Sequence, residues 1–173
     1  LILNRNYTST ELSQLELKFE FINPFIKNKD FLKAKNLIFD IIKRKGLVLT
    51  YGDYDVDGVS SVSILVNFFN KIKHPNYYII PNRFSDGYGA NLNLIKKNLR
   101  KGTEIAIFVD CGTNSKDVIS FLKKKNIKVI IIDHHHINNK LEPDLNIINP
   151  MKNPNEYMKE NICAAALTFY LIN

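Results

Sequence analysis

Cysteine is scarce in this chain of 173 residues, with only Cys111 and Cys163 present. Two thiols cannot build the disulfide framework of a small secreted domain, so a reducing cytoplasm is the expected setting. No apolar run comes near the ~20 residues needed to span a bilayer, and the N-terminal stretch lacks the basic-then-apolar pattern of a signal peptide. No membrane is therefore expected as a partner. No internal repeat, Gly/Ser linker or low-complexity tract divides the sequence, and 45% hydrophobic residues are too many for a disordered chain. One globular domain, or most of one, working as a monomer, is the expectation.

Arginine is also scarce, at 4 of the 24 basic residues. The net charge of +7 suits a polyanionic partner such as a nucleic acid. It is tempered by composition, because Lys, Asn and Ile together supply 65 of the 173 residues. An AT-rich coding sequence produces that bias whatever the protein does.

What is present is a series of short apolar runs alternating with helical patterns. Residues 9–45 read as helical, with Ser9-Thr10-Glu11 as a start signal and Phe31, Ala34, Leu37, Ile38, Ile41 and Ile42 at helical spacing before a stop at Gly46. Strands are expected at 47–51, 77–80, 105–109 and 129–132, with a weaker one at 145–148. Helices are expected from Gly58 to about Lys73, near 91–101, near 115–125 and over 162–172. Continuous apolar strands separated by helices predict an α/β fold, a parallel β-sheet with helices on both faces, preceded by an N-terminal helical segment. In such sheets a ligand lies beyond the carboxyl ends of the strands, so whatever follows each strand should converge.

After the first strand comes Gly52-Asp53-Tyr54-Asp55-Val56-Asp57-Gly58, after the third Asp110-Cys111-Gly112, and after the fourth Asp133-His134-His135-His136. Each piece has a bland alternative: an Asp-x-Asp pair often caps a helix or a turn, and an Asp after a strand often serves as an N-cap. An EF-hand fails, because position 12 of a loop starting at Asp53 is Ile64 rather than a glutamate. Taken as an extended segment, Asp53, Asp55 and Asp57 would point to one side. Several acids in one place are costly without a cation between them, and a carboxylate-dominated set with some imidazole suits Mn²⁺ or Mg²⁺.

These motifs resemble those of the DHH phosphoesterase superfamily, whose signature triplet stands here as Asp133-His134-His135. Gly52–Gly58 is similar to the first family motif and Val109-Asp110-Cys111-Gly112 to the second. The segment Pro81-Asn82-Arg83-Phe84-Ser85-Asp86-Gly87-Tyr88-Gly89 resembles one typical of the family's single-strand-specific 5′-to-3′ exonucleases, and Asn149-Pro150 and Cys163-Ala164-Ala165-Ala166 extend the similarity. The resemblance implies two Mn²⁺ or Mg²⁺ ions bridged by Asp110, with Asp55 on one ion and Asp57 and His134 on the other. Many relatives have a His where Tyr51 stands, so Asp53 would complete the first ion's shell.

By the same resemblance His135 and Asp110 are the catalytic pair, with His135 facing the scissile phosphate. His136 falls outside the motif and reads as a surface residue, and Cys111 as packing. The loop after the second strand would bind nucleic acid: Gly87 and Gly89 allow close backbone approach, Arg83 forks onto a phosphate, and Tyr88 stacks on a base. The implied activity is hydrolysis of single-stranded DNA from a 5′ end in repair and recombination, with a helicase and a single-strand-binding protein as partners. A phosphoesterase on oligonucleotides, cyclic dinucleotides or pyrophosphate is the alternative enzyme, and an inactive DNA-binding scaffold the alternative from another class.

Family members carry a fourth metal-binding acid and a second domain beyond the His pair, and Leu1–Arg5 reads as the middle of a longer helix. The expected organisation is thus an N-terminal helical segment over 1–45 and a DHH catalytic domain over 46–173 truncated at its C-terminal end, poorly active by itself.

Overall fold

The structure, a computed structural model, describes residues 8, 22–138, 141, 144–157 and 162–173. Among them are five strands, β1 (Leu47–Gly52), β2 (Asn76–Ile79), β3 (Thr103–Val109), β4 (Lys128–Ile132) and β5 (Asn146–Ile148). Every pairing is parallel, and the strands lie in the order β2-β1-β3-β4-β5. The α-helices are α1 (Lys29–Arg44), α2 (Val56–Lys71), α3 (Leu92–Asn98), α4 (Lys116–Lys124) and α5 (Ala164–Ile172).

Alternate residues of each strand feed two separate cores. Val48, Ile105, Ile107, Ile130, Ile132 and Ile148 pack under α1, α2 and α5, while Leu49, Ala106, Phe108, Ile131 and Ile147 pack under α3 and α4. Both faces are covered, which is why the strands read as unbroken apolar runs. Burying each of the Val, Leu, Ile and Phe side chains stabilises the fold by roughly 1.5–3 kcal/mol, and the β-branched residues suit the pleated surface.

Helix α1 starts later than its sequence pattern suggests. Residues 24–27 form a turn, and Asn28 caps the helix by accepting from the N–H groups of Asp30 and Phe31. Pro24 cannot donate a helical hydrogen bond, and the Asn28 side chain satisfies orphan donors only from a non-helical backbone. Residues 22–28 therefore do not belong to the helix. The expected start at Ser9-Thr10-Glu11 lies outside the described residues.

β1 has β2 on one side and β3 on the other, so the chain changes direction across the sheet at β1. The carboxyl ends of β1 and β3 consequently flank the crevice where a sheet of this type takes its ligand. Among the described residues, no helix is long and apolar enough to cross a membrane.

Candidate metal centre

Asp110 is the first residue past β3, and its N–H still donates to Ile132 C=O on β4 at 2.9 Å. Its φ of +58° is in the left-handed region that a non-glycine residue rarely adopts, a strain found where a site over-determines the backbone. Its carboxylate is buried, and neither oxygen has a hydrogen-bond partner. His134 Nε2 stands 3.2 Å from Asp110 Oδ1 and 3.5 Å from Asp57 Oδ2. Burial pushes the Asp110 carboxyl up to about 6; His134 opposes this, while Asp55 and Asp57 push the same way. His134 answers by rising above its ordinary value, held in its charged form chiefly by Asp110.

Asp133 follows β4 and is buried with every need met. Its Oδ1 accepts from His134 N at 2.8 Å, His135 N at 3.2 Å and His135 Nδ1 at 2.7 Å, and its Oδ2 accepts from Thr113 N at 3.1 Å. Burial alone would raise its pKa; the donors of His135 and Thr113 overcome that and bring it down to about 2. An ionised Asp133 can only accept, so His135 carries its proton on Nδ1 and is held above its ordinary pKa by that bond. Ligand atoms of Asp110, His134 and His135 lie within 4.8 Å of one another.

The three acids after β1 reach the cluster without strand alternation. β1 ends at Gly52 and α2 begins at Val56, so the segment is too short to be an extended strand. Asp53 is buried, with Oδ1 accepting from Tyr54 N at 2.7 Å and Oδ2 unpartnered. Burial raises its pKa, with Asp55 adding to the effect. Asp55 caps α2 through Gly58 N at 2.9 Å; burial is the largest influence and works against its charge, but the Gly58 N–H together with Asp110, the Asp57 N–H and His135 brings the net shift downward. Asp57 spans the cluster and α5, with Oδ2 near His134 while its carboxylate accepts from Ala164 N at 2.8 Å and Ala165 N at 2.7 Å at the start of α5. Gly58 makes this crowding possible, since a Cβ there would come within 2.4 Å of Asp53 O.

A cluster whose buried carboxylate oxygens on Asp53 and Asp110 lack protein donors, with an imidazole beside them, fits oxygen-preferring divalent cations. Tyr51 contributes no ligand: its buried hydroxyl donates to Gly89 O and accepts from Asn91 N, both at 3.1 Å. His136 is exposed, and Cys111 is buried with its thiol pushed up by burial, so neither joins the cluster.

The loop from Pro81 to Gly89 does overhang this edge. Asn82 Oδ1 accepts from Phe84 N and Ser85 N, and Asp86 Oδ2 accepts from Asn82 N, which fixes its outer turn. Arg83 lies over the Tyr54 ring at 5.7 Å. Gly87 and Gly89 have φ of +77° and +78°, and a Cβ on either would meet nothing within 4 Å. Their left-handed backbone conformation is one that glycine adopts without strain. Tyr88 OH is hydrogen-bonded to His135 Nε2.

Asn149, Thr113 and the hydroxyl of Tyr88 support the site without having a role in the sequence reading. Asn149 Nδ2 donates to Thr113 Oγ1 and to His135 O, each at 3.0 Å, tying the turn after β3 to the turn after β4. The available signal was its place directly after β5, where the strand-end rule applies as it does for the other strands.

A family model described as the DHH family, N-terminal domain, matches residues 47–173. The single-stranded-DNA-specific exonuclease RecJ of Haemophilus influenzae is 30% identical over 141 residues, 81% of this chain and 24% of that protein. The protein of the same name from Bacillus subtilis is 28% identical over 174 residues, 99% of this chain and 22% of that protein. This chain thus spans about a quarter of the length of the curated relatives it matches. Among solved structures, an exonuclease RecJ bound to manganese superposes with a TM-score of 0.77 at 25% identity, over 88% of this chain and 38% of that one. RecJ from Thermus thermophilus in complex with Mn²⁺ shares the fold, with a TM-score of 0.70 at 23% identity, over 86% of this chain and 21% of that one. The family match begins with the first residue of β1 and takes in all five strands and each acid and histidine of the cluster, and on that ground this chain belongs to the DHH family.

Proposed function

We propose that this chain carries the catalytic centre of a metal-dependent exonuclease that hydrolyses single-stranded DNA from a 5′ end, in cytoplasmic DNA repair and recombination. The observation that carries the reading is Asp110, a buried carboxylate with two unpartnered oxygens at the crevice between β1 and β3, facing His134. The RecJ relatives, single-strand-specific by name, and the manganese-bound RecJ structure support the choice of substrate and ion.

Asp110, Asp53, Asp55, Asp57 and His134 would together hold a pair of Mn²⁺ or Mg²⁺ ions. Such ions supply hydroxide at neutral pH and neutralise charge on the phosphoryl oxygens. The remaining work falls to the chain. His135, held by Asp133, presents an oriented imidazole toward the phosphate, and its raised pKa favours the cationic form that a dianionic transition state needs. No side-chain nucleophile is required. Arg83 adds positive charge on the loop above the cluster, and Phe84, 96% exposed, offers a face on which any base can stack.

The test compares 5′- and 3′-labelled single-stranded DNA, duplex DNA and dinucleotides as substrates with Mn²⁺, using wild type and Asp110→Asn. Release of label from single-stranded 5′ ends by wild type alone is the expected result. Preferential hydrolysis of dinucleotides would move the reading to a small-substrate phosphoesterase, and Mn²⁺-dependent DNA binding without hydrolysis to a scaffold. A helicase and a single-strand-binding protein are the partners this reading calls for, since both govern access to a free strand.

A further inference from the structure

Tyr88 is the rim residue whose expected task differs most from its surroundings. A base stacked on a tyrosine needs its ring and makes no use of its hydroxyl. Here the hydroxyl is engaged, hydrogen-bonded to His135 Nε2, while Asp133 holds Nδ1 of the same imidazole at 2.7 Å. With both nitrogens engaged from opposite sides, the His135 ring cannot swing toward the cations without losing a bond.

The chain invests in delivering that hydroxyl. Tyr88 sits between two glycines in left-handed backbone, and the second, Gly89, is tied down through its carbonyl to the buried Tyr51 hydroxyl. The Tyr88 ring meets Tyr54 edge-on at 6.2 Å and 79°, and Arg83 covers Tyr54 from outside. Tyr51, standing where a metal-binding His would be expected, thus has a different use as the anchor of the loop.

We propose that Tyr88 is a positioning residue for His135, so that the loop after β2 sets the geometry of the reacting centre, and that base stacking falls to Phe84 at the loop's outer turn. The second half rests on the exonuclease reading above; the first half does not. Tyr88 is 62% exposed, so removing one oxygen leaves the fold intact.

The experiment compares Tyr88→Phe, Tyr88→Ala and Phe84→Ala with wild type in two measurements. In the metal-free chain, imidazole ¹⁵N resonances report His135: Tyr88→Phe should move its Nε2 signal and leave His134 unmoved. In Mn²⁺-dependent digestion of single-stranded DNA, Tyr88→Phe should lower kcat about ten- to hundredfold with KM changed less than about twofold. Phe84→Ala should instead raise KM about tenfold and spare kcat, the loss of one stacked base. Rates unaltered by Tyr88→Phe while Tyr88→Ala raises KM would return Tyr88 to stacking and overturn the proposal. An unmoved His135 signal overturns it as well. If wild type digests no DNA, the exonuclease reading is what fails, and the nitrogen resonances alone decide whether Tyr88 holds His135.

Discussion

Asp110 and Asp133 follow neighbouring strands of one sheet, point into the same rim and are equally buried, at 1% exposure each. Their chemistry is opposite. Asp133 receives four hydrogen bonds from Thr113, His134 and His135 and ionises at about 2, whereas Asp110 has only the His134 imidazole at 3.2 Å and ionises only at about 6. Burial is common to both and so does not explain the difference. What separates them is the supply of donors from the chain itself. A carboxylate met by four donors is held as part of the scaffold; one among other acids with a single imidazole beside it keeps room for a cation. The pair thus separates Asp133, bound into the scaffold, from Asp110, which faces His134 across the crevice.

The sharpest way to break this division is to neutralise each acid in turn. Asp110→Asn should cost more than about hundredfold in Mn²⁺ affinity by calorimetry, since losing even an outer partner of a metal ligand costs 10–100-fold. It should leave the metal-free chain as stable or more so, because a desolvated charge is removed. Asp133→Asn should do the reverse. Placing an amide against buried N–H groups should destabilise the chain by roughly 2–4 kcal/mol, read by urea unfolding, with Mn²⁺ affinity reduced by no more than about tenfold. Loss of metal binding in Asp133→Asn as complete as in Asp110→Asn would erase the distinction.

Proton linkage sharpens the same contrast. Asp110 has a folded pKa near 6 against 3.8 in a free chain, so above about pH 4 the unfolded chain gives up a proton the folded chain keeps. Stability from this group therefore falls as pH rises from about 4 to about 6, by about 2–3 kcal/mol. His134 and His135, both raised above 6.5, extend the fall to higher pH, since their stabilising protons are lost as pH climbs through their folded values. Asp133, depressed to about 2 from 3.8, gives the opposite slope: its contribution is complete above about pH 4 and is lost below it. The metal-free chain should thus be most stable near pH 4–5 by these groups, roughly. Saturating Mn²⁺ should remove the decline at higher pH, so the stabilisation it confers grows from about pH 5 to about pH 7. Urea midpoints of the metal-free chain that stay flat or rise over that range would contradict the assignment of Asp110.

The contrast also marks how far the sequence could be read. The strands were legible because both faces of the sheet are covered, so Ile105–Val109 and Val129–Ile132 are apolar at every position. The rule that ligands gather past strand ends located Asp110 and Asp133 together, but it could not tell them apart. Their difference depends on the His135 ring, on Thr113 N–H and on the backbone amides at 134 and 135, and the direction of those groups is not reported by side-chain type. The period-2 argument for Asp53, Asp55 and Asp57 fails for a related reason. Asp55 serves as a helix cap, and a cap ends the extended backbone on which alternation depends. The motif brings Tyr88 to the rim without its hydroxyl contact, because a phenol advertises its ring in sequence and its hydroxyl only in three dimensions.

Asp57 lies between the two extremes and gives the smallest effect. Its oxygens accept from Ala164 N and Ala165 N, which α5 cannot satisfy from within, because Cys163 at the N-cap position makes no side-chain hydrogen bond. Asp57 therefore caps α5 from α2, and its negative charge complements the positive end of the helix. Asp57→Asn keeps one acceptor and replaces the other with an amide facing a donor, so it should destabilise the chain by about 1 kcal/mol. Exchange of the amide protons of Ala164 and Ala165 should quicken while the amides of β3 stay protected. Mn²⁺ should slow that exchange in wild type, because His134 Nε2, 3.5 Å from Asp57 Oδ2, links the capped helix to the cluster. Equal exchange with and without Mn²⁺ would place Asp57 with Asp133, among the acids that build the site, and leave Asp110 and His134 to hold the ion without it.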